Sequence, residues 1–391
     1  MGLRVRLAIV GCKVLISAGE ASGDLYAASL VQALRRRGHD LEFFGCAGPR
    51  MRQAGVRAIV DSSSLAVVGL VEVITHIPRI HQEFRKLVTA ASEERPDAVI
   101  LTDSPDFHLR LARKLKPLGF PILYLVAPQV WAWRQGRLPL MRKVIDRLLC
   151  IFPFEEEFFR GHGISTTYIG HPLTRLVKPS ASRGELRRRL GIADGARMIA
   201  LLPGSRKGEV ERHLPYLMDA IRRIQAAAPQ PQPEFILALP LGLKLTERFR
   251  PASIQVREGE TWDVLACADL ALAASGTVTI EASLLGTPMI AFYRVNKLSW
   301  LMGKFLVRVP FYSMVNLVAG RNVVPELIQS NMTGERLAAE ALRLLSDDEA
   351  TSQMRRDLSE VAGKLSRPDD PMEVAASVVE QFLTKEMVHV S

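Results

Sequence analysis

Val14-Leu15-Ile16-Ser17-Ala18-Gly19-Glu20-Ala21-Ser22-Gly23-Asp24 passes from a short apolar run into a small, polar turn. Val14–Ala18 has the length and continuity of a strand buried on both faces. Gly23 then opens a helix to about Arg37, with Leu25, Leu30, Val31 and Leu34 on one stripe and Gly38 at its end. A buried strand feeding an amphipathic helix is half of a βαβ unit, and the pattern recurs. Further strands are expected at Leu41–Gly45, Ala98–Thr102, Ile122–Val126, Leu148–Phe152 and Thr167–Gly170. Helices fall between several of them, at Ile80–Glu94, Phe107–Leu115 and Phe154–His162.

Near Pro172–Arg189 the pattern breaks into Pro, Ser and a run of Arg, which reads as a linker. A second alternation follows, with strands at Met198–Leu202, Glu234–Leu239, Asp269–Ala274 and Met289–Phe292 and helices at Val210–Ala227 and Val278–Leu285. Helices fill the end, with a break at Ser366–Pro371. The expected class is α/β: two successive Rossmann-like halves, with ligands at the carboxyl ends of strands and in the cleft between halves. Residues 1–175 and 176–366 form the two domains in this reading. Residues 367–391 form a helix that returns to the first domain or is exchanged with a partner, which leaves a homodimer open.

Length and composition agree. The 391 residues exceed one ordinary core of ~100–150, and 48% apolar with 24% charged residues is globular. Lys and Arg outnumber Asp and Glu by 51 to 41, and a charge of +10 attracts nucleic acid, a phosphorylated small molecule or an anionic bilayer. The longest stretch free of charged residues, Pro117–Trp133, is broken by Pro117, Gly119, Pro121 and Pro128 and is too short to span a bilayer. The apolar stretch before Lys13 is too short for a signal-peptide core. Cys12, Cys46, Cys150 and Cys267 are scattered without metal-ligand spacing, as in a reduced, cytoplasmic chain. No nucleic-acid module is evident, and the basic residues are dispersed.

Four strand-to-helix turns carry candidate chemistry. In Ala18–Asp24, Glu20, Ser22 and Asp24 suit sugar hydroxyls or an acceptor pocket better than a phosphate; a capped turn is the plain alternative. In Thr102–His108, Asp103 falls at a strand's carboxyl end, where burial raises a carboxyl group toward the range of a general base. Asp106 reads better as a helix cap. Leu202–Val210 offers Gly204, Ser205 and the fork of Arg206 at a helix N-terminus, a phosphate-binding turn without Walker spacing. Ser275, Gly276 and Thr277 offer amides and hydroxyls to a second phosphate, with Glu281 one turn later for a ribose diol. Two such turns in one half indicate a nucleoside-diphosphate site.

Other stretches are less specific. Ala127–Arg134 sets Trp133 and Arg134 together, as core packing, sugar platform or membrane contact. Leu65–Val71 is either a core strand or an apolar surface for acyl chains, and Leu298–Arg308, which mixes apolar and basic residues, is either core or an interfacial membrane segment. His171 reads as a core or hinge histidine.

Read together, Gly19-Glu20-Ala21-Ser22-Gly23-Asp24, Gly48-Pro49-Arg50-Met51, Val68-Gly69-Leu70-Val71-Glu72-Val73, Asp103-Ser104-Pro105-Asp106-Phe107 and Val130-Trp131-Ala132-Trp133-Arg134 resemble the lipid-A-disaccharide synthase family. Leu202-Pro203-Gly204-Ser205-Arg206, Ala274-Ser275-Gly276-Thr277 and Asn316-Leu317-Val318-Ala319-Gly320-Arg321 extend the resemblance over nearly the whole chain, leaving out the residues before Lys13. The resemblance implies a GT-B glycosyltransferase that joins UDP-2,3-diacylglucosamine to 2,3-diacylglucosamine 1-phosphate (lipid X). The implied reaction releases UDP, inverts the anomeric centre and makes a β-1,6-linked disaccharide. It implies no cofactor or metal, and peripheral attachment to the anionic inner membrane from the cytoplasmic side. It makes Asp103 the base, associates Arg206 with UDP and places Asn316 on the same side. Another UDP-sugar enzyme of this architecture, a 2-epimerase or a lipid-linked sugar transferase, is the rival; a non-catalytic membrane or nucleic-acid binder is the rival from another class.

Overall fold

A computed structural model describes residues 10–64, 70–228, 231–247, 254–296 and 309–390. The chain forms two compact units, one of Met1–Pro172 with Arg367–Ser391 and one of Leu173–Ser366.

The first unit is built on seven parallel strands: β1 (Val10–Ala18), β2 (Asp40–Ala47), β3 (Arg57–Asp61), β4 (Ala98–Thr102), β5 (Ile122–Leu125), β6 (Arg147–Cys150) and β7 (Thr166–Tyr168). Their order is β3-β2-β1-β4-β5-β6-β7, so the direction of strand addition reverses between β1 and β4. Ligands of open α/β sheets gather at the carboxyl ends of the strands at such a reversal. Helices α1 (Ala21–Arg36), α2 (Pro49–Gln53), α3 (Leu70–Glu94), α4 (Pro105–Leu115), α5 (Leu138–Val144) and α6 (Pro153–Gly161) connect them. Val14, Leu15 and Ile16 of β1 and Val99, Ile100 and Leu101 of β4 are fully buried, as an apolar run covered on both faces requires.

Two features of this unit differ from expectation. β3 is an edge strand in which only Val60 is buried, so its pattern is too thin to read. α3 begins at Leu70, ten residues before the expected start, and continues through Pro78. Of the Leu65–Val71 run, 65–69 lie outside the described residues, and Leu70 and Val71 open α3. His171 is a core histidine: it packs against Phe152 and Tyr26, and burial pushes it down to about 3.

The second unit opens with α7 (Leu173–Leu176) and α8 (Arg183–Arg189), so the stretch read as a linker is folded structure. The reason lies in its arginines. Ser182 caps α8, Arg183 and Arg187 share Asp269, and Arg189 pairs with Asp263. The arginines of the stretch read as a linker are ion-paired, fastening α8 to Asp263 and Asp269. That sheet has six parallel strands: β8 (Met198–Leu202), β9 (Glu234–Leu239), β10 (Gln255–Glu258), β11 (Leu270–Ala274), β12 (Met289–Tyr293) and β13 (Glu326–Ile328). Their order is β10-β9-β8-β11-β12-β13. The unexpected β10 and β13 are its two short edges, and neither holds a fully buried residue. Helices α9 (Lys207–Ala227), α10 (Thr261–Cys267), α11 (Thr277–Leu284), α12 (Met314–Ala319), α13 (Gly334–Ser346) and α14 (Asp348–Leu365) complete the unit.

The chain then crosses back. α15 (Pro371–Val390) packs on α1 in the first unit. Arg37 donates to Glu373 and Glu380, and His39 Nε2 lies 2.6 Å from Glu380. The Leu298–Arg308 run lies outside the described residues. Among the described residues no helix is long and apolar enough to cross a membrane.

Candidate active site

β1 and β4 lie in register with Ala18 opposite Thr102, so the next residues of each strand, Gly19 and Asp103, emerge side by side. The Asp103 carboxylate accepts from the backbone N–H of Gly19 at 2.9 Å and of Glu20 at 3.0 Å. Its backbone is left-handed, with φ +51°, and Ser104 follows at φ +35°. Non-glycine residues in that region cost about 1–3 kcal/mol each and persist only where surroundings over-determine them. The Asp103 carbonyl supplies the determinant, because the Tyr124 hydroxyl and His108 Nδ1 both donate to it. A carbonyl can only accept, so Nδ1 carries the imidazole proton and Nε2 accepts from Ser17 Oγ, 2.8 Å away. Burial pushes His108 down to about 4, which keeps the ring neutral.

Two glycines make room for this carboxylate. A Cβ on Gly23 would lie 2.6 Å from Asp103 Cγ, and one on Gly19 would lie 2.5 Å from Ser104 Oγ. Burial raises the Asp103 carboxyl to about 8, the half-buried Glu20 adds to the rise, and the two backbone N–H groups oppose it. A carboxylate of that basicity, fixed at the carboxyl end of a central strand, is suited to take a proton from a hydroxyl.

Around Asp103 the expected ligands divide. Ser22 is half-buried in the first turn of α1. Asp24 is buried, and its oxygens accept from the N–H groups of Gly48, Arg50 and Met51. Its lone pairs hold the start of α2, so it shapes the unit from within. Trp133 is 38% exposed, with the Arg134 guanidinium 4.4 Å from its ring centre. Asp106, expected as a helix cap, makes no side-chain cap; its carboxylate takes ion pairs from Arg134 and Arg137. The loop carrying these residues is anchored by Trp131, whose Nε1 donates at 3.0 Å to the buried Glu155. Burial raises Glu155 to about 7, against the pull of Trp131 and the Ile151 and Phe152 N–H groups.

In the second unit, Gly204 has φ +131°, and a Cβ there would meet the Glu209 carboxylate. Glu209 reaches back to accept from the Ser205 N–H at 3.0 Å. The amide expected to be open to an anion is thus taken by an internal carboxylate. Arg206 sits exposed at the N-cap of α9. Buried His213 steadies the turn: Nδ1 donates to Pro203 O at 2.6 Å, and Nε2 accepts from the Arg294 N–H at 3.1 Å.

At the next strand end, Ser275 donates its N–H to Phe292 O and its hydroxyl to Tyr312 O. Gly276 and Thr277 are exposed at the start of α11, and Glu281 is half-buried one turn on. Asn316 is fully buried and spends its whole amide internally. Nδ2 donates to Val324 O and Glu326, and Oδ1 accepts from the Val323 and Val324 N–H groups. It holds α12 against the approach to β13, which is the physical use of a residue expected as a ligand. Among the described residues no group of three or more His, Cys, Asp or Glu side chains is arranged to hold a metal ion.

Sequence reading missed His108, Tyr124, Glu155, His213 and Arg137. The first four act on backbone groups or a buried indole, and only Arg137, three residues after Arg134, had a signal in its spacing.

The chain matches the family model described as lipid-A-disaccharide synthetase over residues 14–376. A lipid-A-disaccharide synthase of Solibacter usitatus (strain Ellin6076) is 57% identical over 384 residues, covering 97% of this chain and 100% of the relative. The solved structure of S. aureus MnaA with UDP superposes with a TM-score of 0.66 at 12% identity, covering 97% of each chain. The kitacinnamycin glycotransferase superposes with a TM-score of 0.60 at 17% identity, covering 95% of this chain and 98% of that one. At such identities the structural likeness speaks for the fold alone.

Proposed function

The chain belongs to the lipid-A-disaccharide synthetase family and is a glycosyltransferase of lipid A biosynthesis on a GT-B fold; from that premise we infer that Asp103 is its general base. The donor is UDP-2,3-diacylglucosamine and the acceptor 2,3-diacylglucosamine 1-phosphate. Asp103 takes the proton of the acceptor's 6-hydroxyl as that oxygen forms its bond to the donor's anomeric carbon. The bond from that carbon to the UDP oxygen breaks on the opposite face, giving inversion and a β-1,6-linked disaccharide 1-phosphate. Negative charge builds on the departing diphosphate, where Arg206 and the N-termini of α9 and α11 stabilise it. Glu20, Ser22, Trp133 and Arg134 line the acceptor's side, and Gly204, Ser205, Ser275, Gly276, Thr277 and Glu281 the nucleotide's. Asp24 and Asn316 serve through the backbone they hold.

The observation that carries this reading is the Asp103 carboxylate: fixed by two backbone N–H groups, raised to about 8, with Gly23 where any side chain would displace it. The acylated substrates and the charge of +10 support work at an anionic membrane surface, from the cytoplasmic side. The test is an assay in mixed micelles with both substrates and chelator present, reading UDP release and product mass. The expected product is the disaccharide 1-phosphate, and Arg206→Ala weakens UDP binding. A UDP-sugar consumed without that product contradicts the substrate assignment, and unchanged UDP affinity removes Arg206 from its role.

A further inference from the structure

Three residues on from Asp103, the first unit sets two guanidinium groups on one carboxylate, that of Asp106. Arg134 Nη1 lies 2.9 Å from each oxygen of Asp106, and Arg137 pairs with the same carboxylate. Arg110, one turn along α4 from Asp106, brings a third guanidinium into the field of Arg137. Burial, with Arg134 and Arg110, pulls Arg137 below the ordinary arginine range, although Asp106 opposes this. The Arg137 side chain is only 16% exposed, whereas that of Asp106 is 67% exposed. Arg134 and Arg110 repel Arg137 in the folded chain, and an arriving anion relieves that repulsion.

The geometry also says which anion. A phosphate monoester carries close to two negative charges at neutral pH and three acceptor oxygens, enough to neutralise the excess. Guanidinium forks pair with it as they pair with a carboxylate, so Asp106 marks where its oxygens sit. Arg134 is held ready by a left-handed backbone at φ +65° and by the Trp133 face. The cluster is near the proposed base, because Tyr124, which donates to the Asp103 carbonyl, lies in the field of both Arg137 and Asp106.

We infer that Arg134 and Arg137 form a subsite for a phosphate monoester, with Asp106 as the internal counter-ion that the phosphate displaces. This rests on the function proposed above and extends it: the group is the 1-phosphate of the acceptor.

The experiment compares 2,3-diacylglucosamine 1-phosphate with 2,3-diacylglucosamine as acceptors, in neutral micelles and in micelles with anionic phospholipid. Arg137→Gln, and the more exposed Arg134→Gln, raise KM for the phosphorylated acceptor about 10- to 100-fold, the scale of a lost charged hydrogen-bond pair. They raise KM for the other acceptor far less. Asp106→Asn removes the competitor and lowers KM for the phosphorylated acceptor. Equal losses on both acceptors, a loss that follows anionic phospholipid, or Asp106→Asn behaving like Arg137→Gln would each overturn the subsite. The last outcome would mark a structural ion pair. If the wild type forms no disaccharide, the reaction assignment fails; titration of the two acceptors without donor still tests the subsite, which requires wild type to prefer the phosphorylated one and Arg137→Gln to lose that preference.

Discussion

At Asp103 three unfavourable features coincide: a left-handed backbone, a carboxyl group raised to about 8, and two glycines pressed against it. Each has a measurable consequence. A base must be ionised, so kcat/KM is predicted to climb with pH to a plateau above about 8, well beyond the usual carboxylate range. The stability linkage runs the other way. Because the folded-state value lies above the unfolded one, the group's favourable contribution is complete below the ordinary carboxyl value. It is lost as pH rises through about 8. Wild-type stability relative to Asp103→Asn is therefore predicted to fall across that window in denaturant melts and to stay flat above it.

Gly23→Ala tests the crowding. Inside a helix that change ordinarily stabilises by about 1 kcal/mol; here it is predicted to keep the fold and cut turnover about 10²-fold, the effect of displacing a reacting group by an ångström. Turnover within a few-fold of wild type would show that Asp103 need not stay where it is. The place of Asp103 at a strand's carboxyl end was legible because a strand-to-helix switch announces itself in sequence. Tyr124 and His108 were not, because their partner is a carbonyl whose left-handed turn leaves no pattern. Asp24 and Asn316 looked like ligands because a polar residue in a motif reads the same whether it faces a substrate or a backbone amide.

At the scale of elements, helices were legible through their apolar stripes and central strands through continuous apolar runs. Edge strands β3, β10 and β13 were not, since one face or an end meets solvent and the runs are short. The Arg-rich stretch of α8 was misread because its counter-charges, Asp263 and Asp269, lie some 80 residues away. Long-range pairing also fixes α15. Arg37 is 9% exposed and Glu380 14%, joined at 2.7 Å, with His39 on the same carboxylate. Arg37→Ala strands a largely buried acid and is predicted to lower stability by about 2–4 kcal/mol in urea melts; a loss under 0.5 kcal/mol, the scale of an ordinary surface change, would mean that apolar packing alone holds the helix. Burial works against it, yet His39 and Arg37 hold Glu380 below its ordinary range. This contribution is present above the ordinary carboxyl value and is lost as pH falls through the folded one.

For the molecule as a whole, both sheets reverse strand order beside a central strand, and every candidate turn follows a strand's carboxyl end. The first unit carries the proposed base; the second carries the turns proposed for a nucleoside diphosphate. That division follows from the alternation of strands and helices, which is why the fold class could be read before the structure. Residue roles could not be read so fully, because they depend on which polar atoms the fold has already used.

Asp103 as the base is tested most directly by product mass from Asp103→Asn beside wild type, in micelles with both substrates and chelator at pH above 8. Disaccharide 1-phosphate is expected from the wild type and, from the folded variant, turnover lower by about 10²-fold or more with UDP affinity retained. Near-normal product from Asp103→Asn would contradict that role and return the search for a base to the other acids of the strand ends.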